Sequence, residues 1–184
     1  MSIVTKKGDD GTTGLMYNRR RRKQDPQVEA YGSVDELNAA LGVARAAARQ
    51  EGLREKLIGI QKDLVTVMGE LATLAEDLPR YVKDGFVTVK PEMTSKLDAM
   101  AREIEAQKVS FKGWATPGAN AAAAALDLAR TICRRAERRV CALQEVEEVR
   151  SGNPEIVVFL NRLSDVLWLL ARWAEGHEGE GSVK

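Results

Sequence analysis

Five arginines fall within the ten residues Arg130-Thr131-Ile132-Cys133-Arg134-Arg135-Ala136-Glu137-Arg138-Arg139. If this stretch is helical, Arg130, Arg134 and Arg138 stack on one stripe and Arg135 and Arg139 on its neighbour. Like charges at four-residue spacing repel by about 0.2–0.5 kcal/mol per pair, so a helix gains nothing from them alone. Something acidic has to face them. Carboxylates such as Asp35, Glu36 and Asp165 in an interhelical ladder would serve, and so would a bound phosphate, because the guanidinium fork matches both.

A second candidate is Thr5-Lys6-Lys7-Gly8-Asp9-Asp10-Gly11-Thr12-Thr13-Gly14. Glycines let backbone amides approach an anion, and the threonine hydroxyls and lysines add donors and charge. It is not a Walker A loop, since no GK[ST] end leads into a helix. Composition alone also fits a flexible polar N-terminus. In Phe159-Leu160-Asn161-Arg162-Leu163-Ser164-Asp165, three polar residues interrupt an apolar helix. Such groups need partners, either on a neighbouring helix or on a ligand. The basic run Arg19–Lys23 reads as steering for an anion.

Other chemistries find little support. Lys and Arg number 28 against 27 Asp and Glu, a net charge of +1, so no global field favours nucleic acid or a membrane surface. Cys133 and Cys141, two helical turns or about 12 Å apart, are too distant for a disulfide and form no zinc spacing. They read as free thiols in a reducing cytoplasm. His177, the only histidine, lies in a Gly/Glu-rich tail and receives no role. No apolar run is long enough to span a bilayer and no signal peptide opens the chain.

The elements that must carry these residues are helices. An aromatic content of 5% with abundant Ala and Leu suits packed helices rather than a β-sandwich. One helix is expected from Gln27 or Ser33 to about Gln50, with Ser33–Glu36 in the form of a capping box. A second runs from Leu53 to Glu76, where Leu57, Ile60, Leu64, Met68, Leu71 and Leu74 mark one buried face. Pro79–Pro91 breaks the pattern, with Phe86–Val89 as a possible extended piece. Further helices run from Pro91 to Lys108, from Ala119 to Val149, and from Asn153-Pro154 to Glu175. The expectation is a single all-α domain over 1–184: a loop at 1–26, a five-helix bundle at 27–175 and a frayed tail at 176–184.

Taken in order, four segments resemble the PduO-type ATP:cob(I)alamin (corrinoid) adenosyltransferases, covering Thr5 to about Ala174. They are the Thr5–Thr13 loop, Glu29-Ala-Tyr-Gly-Ser-Val-Asp-Glu-Leu-Asn38, Arg130–Arg138 and Phe159–Asp165. The resemblance implies a homotrimer of five-helix bundles in which ATP and corrinoid meet at subunit interfaces. It implies ATP binding by Thr5, Lys6, Lys7, Gly8, Asp9, Gly11, Thr13, Gly14 and Lys23 of the loop. Arg134, Arg135, Glu137 and Arg138 match the family's ATP-binding helix, Asn161 its ATP-contacting asparagine, and Arg134 with Asn161 the catalytic positions. Asp35 and Arg130 match a salt bridge that crosses between subunits, which withdraws Arg130 from phosphate contact.

The implied reaction moves the 5′-deoxyadenosyl group of ATP to cobalt and releases triphosphate, with Mg²⁺ accompanying ATP through ligands the sequence does not specify. Implied partners are a flavoprotein reductase and an adenosylcobalamin-dependent enzyme. Three positions depart from the family pattern. Trp114 stands where a phenylalanine, sixteen residues before Arg130, presses on the corrin's lower face; Phe111 is a possible substitute. Asp127 replaces a common histidine, and the Arg19–Lys23 run is unusually basic. The loop is expected to be mobile without ATP and ordered with it. A nucleotide or corrinoid carrier on the same fold is the alternative to an enzyme.

Overall fold

The computed structural model describes residues 4–107, 109, 115–145 and 152–177. Its six helices are α1 (Pro26–Ala47), α2 (Glu51–Leu71), α3 (Leu78–Lys83), α4 (Pro91–Glu105), α5 (Ala121–Glu145) and α6 (Glu155–Gly176). Two three-residue strands precede them, β1 (Thr12–Gly14) and β2 (Arg20–Arg22), paired antiparallel with Thr12 opposite Arg22 and Gly14 opposite Arg20.

The five long helices match those expected, but several ends move. Helix α1 begins at Pro26 because the Asp25 side chain accepts the Gln27 amide at 2.8 Å. The Ser33–Glu36 box is not used as a cap: Ser33 lies within the helix and its hydroxyl donates back to the Glu29 carbonyl. Helix α2 stops at Leu71, five residues short of expectation. Asn153 does cap α6, its side-chain oxygen accepting the Glu155 amide at 3.0 Å.

Two elements correct the five-helix reading. The short α3 lies in the region treated as a break, because Pro79 sits in its first turn, where a missing N–H costs nothing. The second is the hairpin β1–β2, which lies within the stretch read as the N-terminal loop. No strand forms at Phe86–Val89; instead the buried Glu70 carboxylate accepts the Val89 amide at 2.6 Å and the Asn153 side chain at 3.0 Å. Three segments are thereby tied at one end of the bundle. Nearby, Gly69 leaves room for the Tyr81 hydroxyl, into which a β-carbon would clash.

Helix α1 packs on α2 and α5, α5 on α6, and α6 on α4. Lys56–Glu103 (2.7 Å) and Lys96–Asp63 (3.7 Å) link α2 to α4 and close the ring. The core is aliphatic, with Leu37, Leu41, Leu57, Leu64, Leu126, Leu160, Leu163 and Leu167 fully buried and Phe159 their one large aromatic. Burial of each such side chain contributes about 1.5–3 kcal/mol, and this apolar ring fixes the faces of α5 and α6.

Candidate functional site

The N-terminal segment is held to the bundle by its hairpin. Between the strands, Tyr17 and Asn18 both adopt left-handed backbone (φ 59° and 58°), the Arg19 amide donates to the Met16 carbonyl and the Leu15 amide to the Arg19 carbonyl, while the Met16 amide donates to the Ala72 carbonyl of the bundle. Asn tolerates that conformation, whereas Tyr does so only at a cost. Its ring is fixed by Arg80, 4.2 Å from the centroid, and by a 3.1 Å hydrogen bond from its hydroxyl to Asp84.

Arg19 completes the anchor. It donates twice to Asp77, at 2.8 and 3.1 Å, and pairs with Glu76 at 2.8 Å. The Arg19 hydrogen bond holds the Asp77 carboxyl below the usual carboxylate range. A depressed folded-state value stabilises the docked hairpin above the unfolded carboxylate's titration and is lost as pH falls through the folded one. Thermal unfolding of wild type and Asp77→Asn should therefore differ by a constant amount above about pH 5 and converge below about pH 4. A difference independent of pH would show that Asp77 does not act through its charge.

Above the anchor lies a cleft of about 580 Å³ lined by Thr5, Lys7, Gly8, Thr12, Thr13, Gly14, Leu15, Asn18, Arg19, Arg20 and Lys23. Of the nine loop residues expected in a nucleotide site, six are gathered here: Thr5, Lys7, Gly8, Thr13, Gly14 and Lys23. Lys6, Asp9 and Gly11 belong to the same turn without lining the cleft. Thr12 comes from the same glycine-rich candidate and Arg19 and Arg20 from the basic run read as anion steering, whereas Leu15 and Asn18 were not anticipated, because only the hairpin folds the basic run back over the glycine turn. Small residues, hydroxyls and cations around one concavity make an anion site.

The arginine stripes of α5 have two fates. Arg135 pairs with Glu36, and Arg139 with Glu29 at 3.1 Å, so the second stripe forms the expected carboxylate ladder with α1. Asp35 and Asp165, named for that ladder, are exposed and pair with none of these arginines among the described residues. Arg134 and Arg138 are exposed and make no ion pair or hydrogen bond among the described residues.

Of the two, Arg134 lies near the seam with α6. The Cys133 thiol donates to the Leu160 carbonyl at 3.3 Å, and burial first, then Glu137 and Asp165, push its pKa up while Arg134 opposes them. Arg134, Glu137 and Asp165 are thus within electrostatic reach of Cys133, whose carbonyl partner Leu160 precedes the exposed Asn161. Ser164 needs no partner elsewhere, since its hydroxyl donates to the Asn161 carbonyl. Both cysteines are free thiols.

Arg130 pairs within the chain with Asp127, Nε to Oδ1 at 3.1 Å. Asp127 is buried and also binds the buried Arg172, which reaches Glu175 at 2.9 Å. This network was not read from the sequence. Phe111 and Trp114 lie outside the described residues. Among the described residues no helix is long and apolar enough to cross a membrane, and no three His, Cys, Asp or Glu side chains are placed to hold a metal ion.

Comparison with known proteins places these features in one family. A profile described as cobalamin adenosyltransferase matches residues 3–174. The chain is 39% identical to the corrinoid adenosyltransferase PduO of Salmonella typhimurium, an alignment covering all of this chain and 52% of that protein. It thus spans about half the length of that relative. It is also 39% identical to a corrinoid adenosyltransferase of Citrobacter freundii, over 94% of both chains. Among solved structures, a variant PduO-type ATP:corrinoid adenosyltransferase from Lactobacillus reuteri complexed with cobalamin and ATP superposes with a TM-score of 0.85 at 35% identity, covering 96% of this chain and 95% of that one.

Proposed function

Because this chain belongs to the cobalamin adenosyltransferase family, we propose that it transfers the 5′-deoxyadenosyl group of ATP to the cobalt of cob(I)alamin. The observation that carries the reading is the convergence of Thr5, Lys7, Gly8, Thr13, Gly14 and Lys23 on one cleft. Its hydroxyls, cations and small residues suit a triphosphate.

Arg134, Glu137, Arg138 and Asn161 do not line that cleft. We place them as a second half-site on the α5–α6 seam, with Arg135 beside them and bound to Glu36. Assembly as a homotrimer would let a neighbour's loop meet this face, with Arg130 reaching Asp35 of an adjacent subunit. The exposed Val43 of α1 and Leu128 of α5 support an interface there. Trp114, or Phe111, is assigned to the corrin's lower face.

The chemistry is a displacement. Cobalt(I) donates an electron pair to C5′, the C5′–O5′ bond breaks, and that bond's electrons leave with the triphosphate. No general base is needed, in keeping with a site without histidine. The protein's tasks are to align C5′ with cobalt and to stabilise charge on the departing triphosphate, the latter by Lys7, Lys23, Arg134 and Arg138. Magnesium would accompany ATP, held mainly by phosphate oxygens and water; the described residues place no three His, Cys, Asp or Glu side chains to hold it on their own. When bound it would neutralise phosphate charge. The reaction belongs in a reducing cytoplasm, served by a flavoprotein reductase and feeding an adenosylcobalamin-dependent enzyme.

Chemically reduced cobalamin mixed with the protein and MgATP should give the light-sensitive spectrum of an alkylcobalamin. Tight binding of both substrates without that spectrum would instead identify a carrier.

A further inference from the structure

One cation of the cleft is turned into its wall. Successive residues of a strand point to opposite faces, so Arg19 reaches the bundle while Arg20 reaches the turn below it. The Arg20 Nη2 donates to the Lys7 carbonyl at 2.5 Å and lies 3.4 Å from the Asp10 carboxylate. Its Nε donates to the Thr12 hydroxyl at 2.9 Å. One guanidinium thus binds the start, middle and end of the Lys7–Thr12 turn.

That turn needs holding. Lys6 and Gly11 are left-handed (φ 57° and 80°), and its own backbone bonds, Asp9 to Lys6 and Gly11 to Gly8, are both 3.2 Å long. Asp10 accepts from the Thr12 amide at 2.9 Å and hydroxyl at 2.7 Å. Those two bonds first, and then the Arg20 charge, hold its carboxyl below the usual range. Asp10 is therefore ionised at neutral pH and matches the charge of Arg20. Lys7 and Lys23 make no ion pair among the described residues and remain for the ligand.

We propose that Arg20 is a positioning residue of the nucleotide site: it shapes the Lys7–Thr12 turn that receives the triphosphate and does not contact the phosphates itself. This rests on the reading of the cleft as the ATP site. Steady-state kinetics of the full chain with MgATP and reduced cobalamin tests it. Arg20→Met should raise the KM for ATP by about tenfold, the effect of one charge-assisted hydrogen bond. Its kcat and its KM for cobalamin should stay within about twofold of wild type, since uniform binding alone is lost. Arg20→Lys should recover part of the loss, and Arg20→Met/Thr12→Val should be no worse than the poorer single variant, because both remove the same clamp.

An unchanged KM for ATP in Arg20→Met, with a raised one in Lys23→Met, would overturn the positioning role and leave the cleft reading standing. If neither variant changes that KM, the cleft is not the ATP site and both readings fall. A fall in kcat with KM unchanged would make Arg20 a transition-state contact and likewise overturn the proposal.

Discussion

Replacement of Arg134 by alanine lowers kcat/KM for MgATP by roughly a hundredfold, the loss of about 3 kcal/mol expected from one bidentate arginine–phosphate contact. The folded protein should not notice. Arg134 is exposed and has no ion pair or hydrogen bond among the described residues, so nothing in the subunit is left unpartnered when it goes. Arg135→Ala is the contrasting case, since it breaks the ion pair with Glu36 that links α5 to α1. Arg134→Lys should restore only part of the activity, because an ammonium keeps the charge without the fork. Kinetics and thermal melts on the three variants check this. Wild-type kcat/KM in Arg134→Ala would remove α5 from the triphosphate site.

The largest stability effect is expected at Asp127. Its carboxylate is buried between Arg130 and Arg172, and Arg172 is itself buried with two of its nitrogens, Nε and Nη1, unpartnered. Asp127→Ala leaves a buried guanidinium with Glu175 as its remaining carboxylate partner, and removing one partner of a buried pair costs about 3–5 kcal/mol. Urea unfolding should show that loss. The double variant Asp127→Ala/Arg172→Met should regain most of it, because an apolar replacement of the whole pair is often neutral or better. A loss below about 1 kcal/mol in Asp127→Ala would mean that solvent reaches the site and screens the pair.

These two positions also show what the sequence made legible. The α5 arginines were found from spacing alone, since four-residue repeats on a helix are local facts. Their division was not local: Arg135 and Arg139 turn to Glu36 and Glu29 of α1 only because α5 packs there. Asp127 and Arg172 are 45 residues apart, and no periodicity joins them. The long helices were legible from their leucine stripes, whose ends then shifted with capping by Asp25 and the stop at Leu71. The hairpin was not legible, because three-residue strands of threonine and arginine show no apolar alternation and are held by Tyr17 and Arg19 contacts with α3 and the turn before it. Helix α3 was hidden by reading Pro79 as a breaker when it stands in a first turn.

The central claim is that one protein brings C5′ of ATP to reduced cobalt and releases the triphosphate whole. A single-turnover reaction with ATP labelled at C5′, quenched and resolved by chromatography, tests it most directly. The account predicts label on the corrinoid, one equivalent of intact triphosphate per cobalt–carbon bond, and loss of both products together in Arg134→Ala. Release of diphosphate or phosphate with no label on the corrinoid would contradict it.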